Sequence, residues 1–307
     1  MLPSGRMLRA VGFIGLGAMG APMAHRFLGA VDALYVCDLR SELTEPFRRS
    51  GAHVCATPAE VASNADVVFA SLSSSAASEA VALGADGIVH GAKIQTYVET
   101  STIGMASIRR IADGLAQKSI DMLDCPVSGG PAGAALGKLS GMLSGKDDVV
   151  AHASGCLAIM VDRLFRVGGS VGQAQVMKLV NNLIGATNVA IACEAVVMGM
   201  KAGLDPSMMI SVINASTGRN SATEDKFPKA ILPRTFDYGA HLSIVAKDVA
   251  LGMEAAREIG MPMSVAASVK ALWADAERAG RGTQDFTSLF LYLEELAGLG
   301  SRSAGEE

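Results

Sequence analysis

Two patterns of hydrophobic spacing succeed one another along the chain. From Ala10 to about Val167, short apolar or β-branched runs (VGFI, ALYVCD, ADVVFASL, IQTYVET, IDMLDCPV and RLFRV) alternate with longer stretches of helical spacing. Apolar runs of this length read as strands buried on both faces, and the helical stretches between them as the crossovers that a parallel sheet requires. Thr57-Pro58 marks one helix start: the threonine caps, and the proline takes the first helical position, where a missing N–H is no loss.

Beyond Gly172 the strand signal stops. Gln173 to Lys201 contains no proline and is rich in Ala, Leu, Val and Met, which predicts one helix of about 28 residues, on the order of 40 Å long. Gly203 ends it, and Asp205-Pro206 starts the next. Further helices are predicted over Asp205–Asn214, Leu242–Ile259, Ser264–Ala279 and Phe286–Leu296.

Length supports a division into two. With 307 residues, half of them hydrophobic and 18% charged, the chain folds, yet single cores stop growing at roughly 250 to 300 residues. The 26 Lys and Arg against 30 Asp and Glu give a net charge of −4 with no basic run, so no nucleic-acid partner is expected. The most apolar stretch, Leu183 to Leu204, carries Asn188, Glu194 and Lys201, which reads as a buried helix and not a membrane span. The start, MLPSGRMLRAVGFIGLG, has two arginines, but its apolar run is broken by glycines and opens a strand, so no secretory signal is expected. Cys37, Cys55, Cys125, Cys156 and Cys193 are scattered, with no CxxC and no histidine at ligand spacing. They read as reduced thiols of a cytoplasmic protein, with no metal site.

The first chemically specific feature is the turn Gly15-Leu16-Gly17-Ala18-Met19-Gly20, which follows a strand and opens a helix. In that context GxGxxG points to a Rossmann-type dinucleotide site: the glycines allow the tight turn, the approach of pyrophosphate and helix packing, and the helix N-terminus faces the phosphates. Asp38 closes the second strand, 18 residues beyond Gly20. A carboxylate there accepts from a ribose 2′-OH and repels a 2′-phosphate, which favours NAD; Arg40 and Ser41 just beyond keep NADP open.

The second is DCPVSGGPAGA at 124–134. Ser128, Gly129 and Gly130 offer a hydroxyl and unshielded N–H groups in one concavity, suited to a carboxylate; a plain glycine-rich turn is the alternative. On the long helix, Lys178 and Asn182 are four residues apart and share a face. A lysine in so apolar a helix is costly unless it acts there or reaches solvent.

These motifs together resemble the β-hydroxyacid dehydrogenases. VGFIGLGAMGAPMA at 11–24, DCPVSGGPAGAALGKL at 124–139, the Lys178–Asn182 helix, NASTGRNS at 214–221 and KDVAL at 247–251 match the family collinearly, and 3-hydroxyisobutyrate dehydrogenases and tartronate semialdehyde reductases are the branches most similar. The resemblance implies an α/β fold: a Rossmann-type parallel-sheet domain over 1–170, joined by the long helix to an all-α substrate and oligomerisation domain over 171–307, of the 6-phosphogluconate dehydrogenase kind. It implies that Gly15, Leu16, Gly17, Ala18, Met19, Gly20 and Asp38 hold NAD or NADP, with Ser101 and Thr102 near the nicotinamide and Lys247 near cofactor or substrate. Ser128, Gly129 and Gly130 would hold the substrate carboxylate, Lys178 would be the general acid/base, and Asn182 would orient the substrate. Asp248 and Asp285 match more weakly and fit a structural role.

The implied reaction is hydride transfer between nicotinamide and the hydroxyl carbon of a small β-hydroxy acid, in a homodimer or homotetramer without metal. The alternatives are a reductase of tartronate semialdehyde or another small semialdehyde and, from another class, a catalytically silent NAD-binding partner or sensor. Retention of Lys178, Asn182 and the Ser128-Gly129-Gly130 turn argues against the silent module. Three departures from the family pattern stand out: Ala174 replaces a glycine four residues before Lys178, Leu72-Ser73-Ser74 replaces Leu-Pro-Asn, and Gly239-Ala240-His241 lacks the usual aromatic before Lys247.

Overall fold

The structure, a computed structural model, describes residues 10–299. Residues 1–9, the arginine-bearing start of the stretch read for a secretory signal, lie outside the described residues. The chain divides into two compact units, 1–178 and 179–307. The division falls within the long helix and not at the expected 170/171, because the helix's first turn is bonded into the first unit, as described below.

Among the described residues, the first unit is built on nine strands: β1 (Ala10–Ile14), β2 (Ala33–Cys37), β3 (His53–Val54), β4 (Val67–Ala70), β5 (Thr96–Glu99), β6 (Asp121–Asp124), β7 (Val127–Ser128), β8 (Ser140–Ser144) and β9 (Arg163–Gly168). They form one sheet in the order β3-β2-β1-β4-β5-β6-β8-β7, with β9 also on β8. From β3 to β6 all pairings are parallel, whereas β8 runs antiparallel to β6 and β7 and parallel to β9. Helices α1 (Gly20–His25), α2 (Ser41–Arg49), α3 (Pro58–Asn64), α4 (Ser75–Leu83), α5 (Met105–Ala116), α6 (Gly130–Ala135) and α7 (Asp147–Met160) make the connections. Phe13, Phe27 and Phe69 pack together in one core, and Val61, Val68, Tyr97, Ile108 and Ile111 in another. Thr57 caps α3 as its sequence predicts, accepting from the Glu60 N–H at 3.1 Å, while the Glu60 carboxylate accepts from the Ala56 N–H at 2.7 Å.

Three strands escape the sequence pattern, β7 because it is only the two-residue continuation of the run IDMLDCPV. His53–Val54 is too short to show a period, and Ser140–Ser144 (SGMLS) has no β-branched residue; β8 is a strand because β6, β7 and β9 supply its hydrogen bonds.

The long helix α8 spans Gln173–Lys201, and most of it belongs to the second unit with α9 (Pro206–Asn214), α10 (Leu242–Glu258), α11 (Ser264–Ala276) and α12 (Leu289–Leu296). Their core gathers Trp273, Phe227, Phe290, Leu289 and Val196. Asp205 caps α9 through the Met208 N–H at 2.7 Å. Ala222–Ile231 adds a helix the sequence did not announce: Pro228 argues against a regular α-helix, and the segment takes the wider π form.

Candidate active site

In the glycine turn between β1 and α1, two positions are closed to any side chain. A Cβ on Gly15 would lie 2.3 Å from the Ser71 carbonyl oxygen, and one on Gly20 only 1.8 Å from that of Gly15. Gly17 differs: the nearest atom to its Cβ position is an Arg40 nitrogen at 3.7 Å. Gly15 and Gly20 therefore pack the turn, and Gly17 leaves open space of the kind a pyrophosphate needs, so the residues present fit the dinucleotide. Gly17, Ala18 and Met19 are at least partly exposed, whereas the Leu16 side chain is in the core. Leu16 contributes its backbone: its N–H donates to Asp38 Oδ2 at 2.7 Å.

Asp38 is thus tied to the glycine turn. Its Oδ1 accepts from the Arg40 N–H at 2.9 Å and from Arg40 Nε at 3.3 Å. Burial pushes the Asp38 carboxyl up, but the N–H groups of Arg40 and Leu16 and the Arg40 guanidinium outweigh it and hold the group below the usual carboxylate range.

Farther along the carboxyl ends of the strands, Ser101 follows β5. Its Oγ accepts from the Leu72 N–H at 2.7 Å, and its own N–H donates to Glu99 Oε1 at 2.9 Å. Glu99 is fully buried, with Tyr97 Oη donating to its Oε2 at 2.8 Å. Burial pushes the Glu99 carboxyl up against the opposing hydrogen bonds of Ser101 and Tyr97. The Leu72-Ser73-Ser74 segment is held despite its missing proline, because Leu72 is bonded to Ser101 and Ser74 caps α4 through the Ala77 N–H at 3.2 Å. Thr102 follows Ser101 in the same loop.

The Ser128-Gly129-Gly130 turn joins β7 to α6. Gly129 has φ +133° and Gly130 φ +65°, conformations that L side chains rarely adopt. Ser128 is partly exposed and both glycines are exposed, leaving the turn accessible to an anion.

Lys178 lies on the second turn of α8 and is only 9% exposed. The start of this helix is capped from the sheet. Asp124 Oδ2, at the end of β6, accepts from the N–H groups of Gly172 at 3.2 Å and Gln175 at 3.1 Å, and Ser144 Oγ accepts from the Ala174 N–H at 3.0 Å while donating to Asp124. Burial raises Asp124 to about 6, against the hydrogen bonds of Ser144, Gln175 and Gly172. Ala174, where the family pattern has glycine, is fully buried and accommodated.

In the second unit, Asn182 Nδ2 donates to Asp248 Oδ2 at 2.7 Å, and Lys247 Nζ lies 3.2 Å from Asp248 Oδ1. Asp248 therefore holds both side chains, the structural kind of role expected of it. Lys247 also lines a depression of about 980 Å³ with Glu254, Arg257 and Lys270. Asp285 is structural: it accepts from the N–H groups of Gly239 at 2.7 Å and Ala240 at 3.2 Å, fixing the chain ahead of α10. His241 is exposed at the start of that helix. Sequence reasoning missed Tyr97, Glu99, Ser144 and Gln175; only Asp124 stood inside a motif already singled out.

Residues 10–169 match the family described as the NAD binding domain of 6-phosphogluconate dehydrogenase, and residues 172–293 the one described as NAD-binding of NADP-dependent 3-hydroxyisobutyrate dehydrogenase. A 2-(hydroxymethyl)glutarate dehydrogenase of Eubacterium barkeri is 33% identical over 96% of this chain and 98% of its own length. The chain belongs to the β-hydroxyacid dehydrogenase family. An L-threonate dehydrogenase of Cupriavidus necator is 32% identical over 91% of this chain and 94% of its own length. Among solved structures, a Mycobacterium tuberculosis 3-hydroxyisobutyrate dehydrogenase with L-serine superposes with a TM-score of 0.86 at 25% identity, covering 94% of this chain and 99% of that one. The protein is an NAD(P)-dependent oxidoreductase of hydroxy acids, acting on the CH–OH group.

Proposed function

We propose that this dehydrogenase oxidises a small β-hydroxy acid of the 3-hydroxyisobutyrate type and prefers NAD to NADP. The observation that carries the reading is Lys178, a lysine nine-tenths buried on a helix whose first turn is anchored to the carboxyl ends of the sheet strands. A bound nicotinamide supplies the hydride acceptor. Ser128, Gly129 and Gly130 receive the substrate carboxylate, and Asn182, steadied by Asp248, orients the substrate. Lys178 Nζ takes the hydroxyl proton in oxidation and returns it in reduction, as a general base and acid. The cofactor preference rests on Asp38, whose carboxylate is kept ionised where a 2′-phosphate would be repelled.

Lys178→Ala should lower kcat by roughly 10²- to 10⁴-fold while leaving NAD affinity nearly unchanged. Near-normal kcat in this variant would overturn the proton role. A panel of 3-hydroxyisobutyrate, glycerate, threonate, serine and succinic semialdehyde, each with NAD and NADP, tests the substrate class; higher kcat/KM for the semialdehyde than for every hydroxy acid would replace the reading with that of a reductase.

We infer a homodimer or homotetramer that works in the cytoplasm without nucleic acid or membrane. The helix α8 is long and apolar enough to cross a membrane by length and composition, but half of its most apolar window is buried in the protein. Its exposed stripe supports pairing with a second copy: Ile184, Ile191 and Met198 recur every seven residues and are 59%, 54% and 72% exposed. All five cysteines are free and buried, as suits a reducing compartment. Light scattering at micromolar concentration tests the association; a stable monomer overturns it.

A further inference from the structure

We propose that Gln175 is a positioning residue whose buried amide locks the Ser101–Gly104 loop to the helix segment that carries Lys178. The inference rests on the assignment of Lys178 and the Ser101-Thr102 loop to the reaction.

Gln175 has no exposed surface. Its Oε1 accepts from the N–H groups of Ile103 at 3.0 Å and Gly104 at 3.2 Å, and its Nε2 donates to the Ser101 carbonyl at 3.0 Å. Two donors at one end and an acceptor at the other fix which end of the amide is oxygen. A buried amide is expensive without partners, and this one spends all three bonds on the backbone of a single loop more than seventy residues away.

The helix does not need this amide for its own anchorage. Asp124 and Ser144 already take the N–H groups of Gly172, Ala174 and Gln175. What the Gln175 side chain adds is the loop. The loop is steadied further by Glu99 on the Ser101 N–H and by the Ser75 hydroxyl, which donates to the Ile103 carbonyl at 3.1 Å. Gln175 and Lys178 are three residues apart and so share a helix face. The amide therefore sets the distance between the loop assigned to the nicotinamide side and the amine assigned to the substrate proton, and a misplacement of about 1 Å in such a constellation costs on the order of a hundredfold in rate.

Gln175→Glu gives the proposal a pH signature. A neutral carboxyl reproduces the amide, accepting from Ile103 and Gly104 and donating its O–H to the Ser101 carbonyl; the ionised form sets a negative oxygen against that carbonyl. Burial raises the titration of such a group. We expect kcat near wild type at the acid end of the assay range and about tenfold or more below it at the alkaline end, with NAD dissociation constants within about threefold throughout and a larger primary deuterium isotope effect as hydride transfer becomes limiting. Amide hydrogen exchange at Ile103 and Gly104 should quicken over the same pH range. A kcat profile that parallels wild type would overturn the proposal, as would losses of kcat and melting temperature in step with an unchanged isotope effect.

Should Gln175→Glu not fold, Gln175→Asn serves: its amide is one methylene too short to keep all three bonds, and kcat should fall about tenfold with NAD affinity retained. Wild-type kcat in that variant refutes the lock. Lys178→Ala measured alongside separates the two failures. Loss of turnover in Lys178→Ala with wild-type kcat in the Gln175 variants removes this inference alone, whereas an active Lys178→Ala removes the reading beneath it.

Discussion

The carboxyl ends of the sheet strands and the outer stripe of α8 are finished to different degrees. Along the strand ends, buried polar groups are answered within the same unit: Asp38 by Leu16 and Arg40, Glu99 by Tyr97 and Ser101, Asp124 by Ser144 and the first turn of α8. Along α8, by contrast, Ile184, Ile191 and Met198 face solvent. The difference teaches where each region draws its stability. A surface of internally satisfied hydrogen bonds is complete in one chain and is shaped for a ligand, whereas an apolar stripe at seven-residue spacing is stabilised further only by more apolar surface.

The sharpest test of the closed region contrasts two glycines. Gly20→Ala drives a methyl to 1.8 Å from a backbone oxygen and should cost about 3 kcal/mol of stability by chemical denaturation, with cofactor binding lost as well. Gly17→Ala meets nothing closer than 3.7 Å, so its unfolding midpoint should hold while the NAD dissociation constant rises. Equal effects of the two on stability would break the division of roles in the turn.

On the open region, Ile191→Lys should raise the self-association constant for dissociation by on the order of a hundredfold in sedimentation experiments, since an isologous contact presents the change twice. Its unfolding free energy at a concentration where both proteins are monomeric should stay within roughly 0.5 kcal/mol of wild type. A destabilised monomer would show that the stripe packs within the chain.

Asp124 offers a smaller effect with a definite sign. Its folded value of about 6 lies above the ordinary aspartate value, so the neutral form is favoured in the fold. The stability this contributes is full below about pH 4 and is lost as pH rises through about 6, in total roughly 2 to 3 kcal/mol. Asp124→Asn should flatten that part of the stability profile between pH 4.5 and 7.5, as read from urea midpoints. An unchanged slope would remove Asp124 from the account. Smallest of all, Asp38→Ser should move the ratio of kcat/KM for NADP over NAD upward by about tenfold; an unchanged ratio would show that Asp38 serves only to hold the Leu16 N–H.

Much of this was legible before the structure. The alternation of apolar runs located six of the nine strands among the described residues, β7 being the short continuation of the run IDMLDCPV and not announced as a strand of its own, and the composition of Gln173–Lys201 delimited α8 at both ends. The glycine turn and Asp38 were readable because strand, turn, helix and acid fall at fixed spacing, as local chemistry demands. Gln175 and Glu99 were not, since their meaning lies in partners distant along the chain or on an adjoining turn: a buried glutamine in a helix and a glutamate at a strand end look like any solvated polar residue until the fold removes the water.

The sequence by itself determined local matters: most of the strands and helices, the helix starts at Thr57-Pro58 and Asp205-Pro206, and which glycines can turn. Side-chain period and backbone sterics act within a few residues, so they are written along the chain. The tertiary structure alone decided that SGMLS is a strand, that Asp124 and Ser144 cap a helix that starts many residues later, and that three bonds of Gln175 converge on the Ser101–Gly104 loop. Each depends on a donor meeting an acceptor across a long sequence separation, and the energy of such a pair is set by burial and distance, which exist only once the chain has closed on itself.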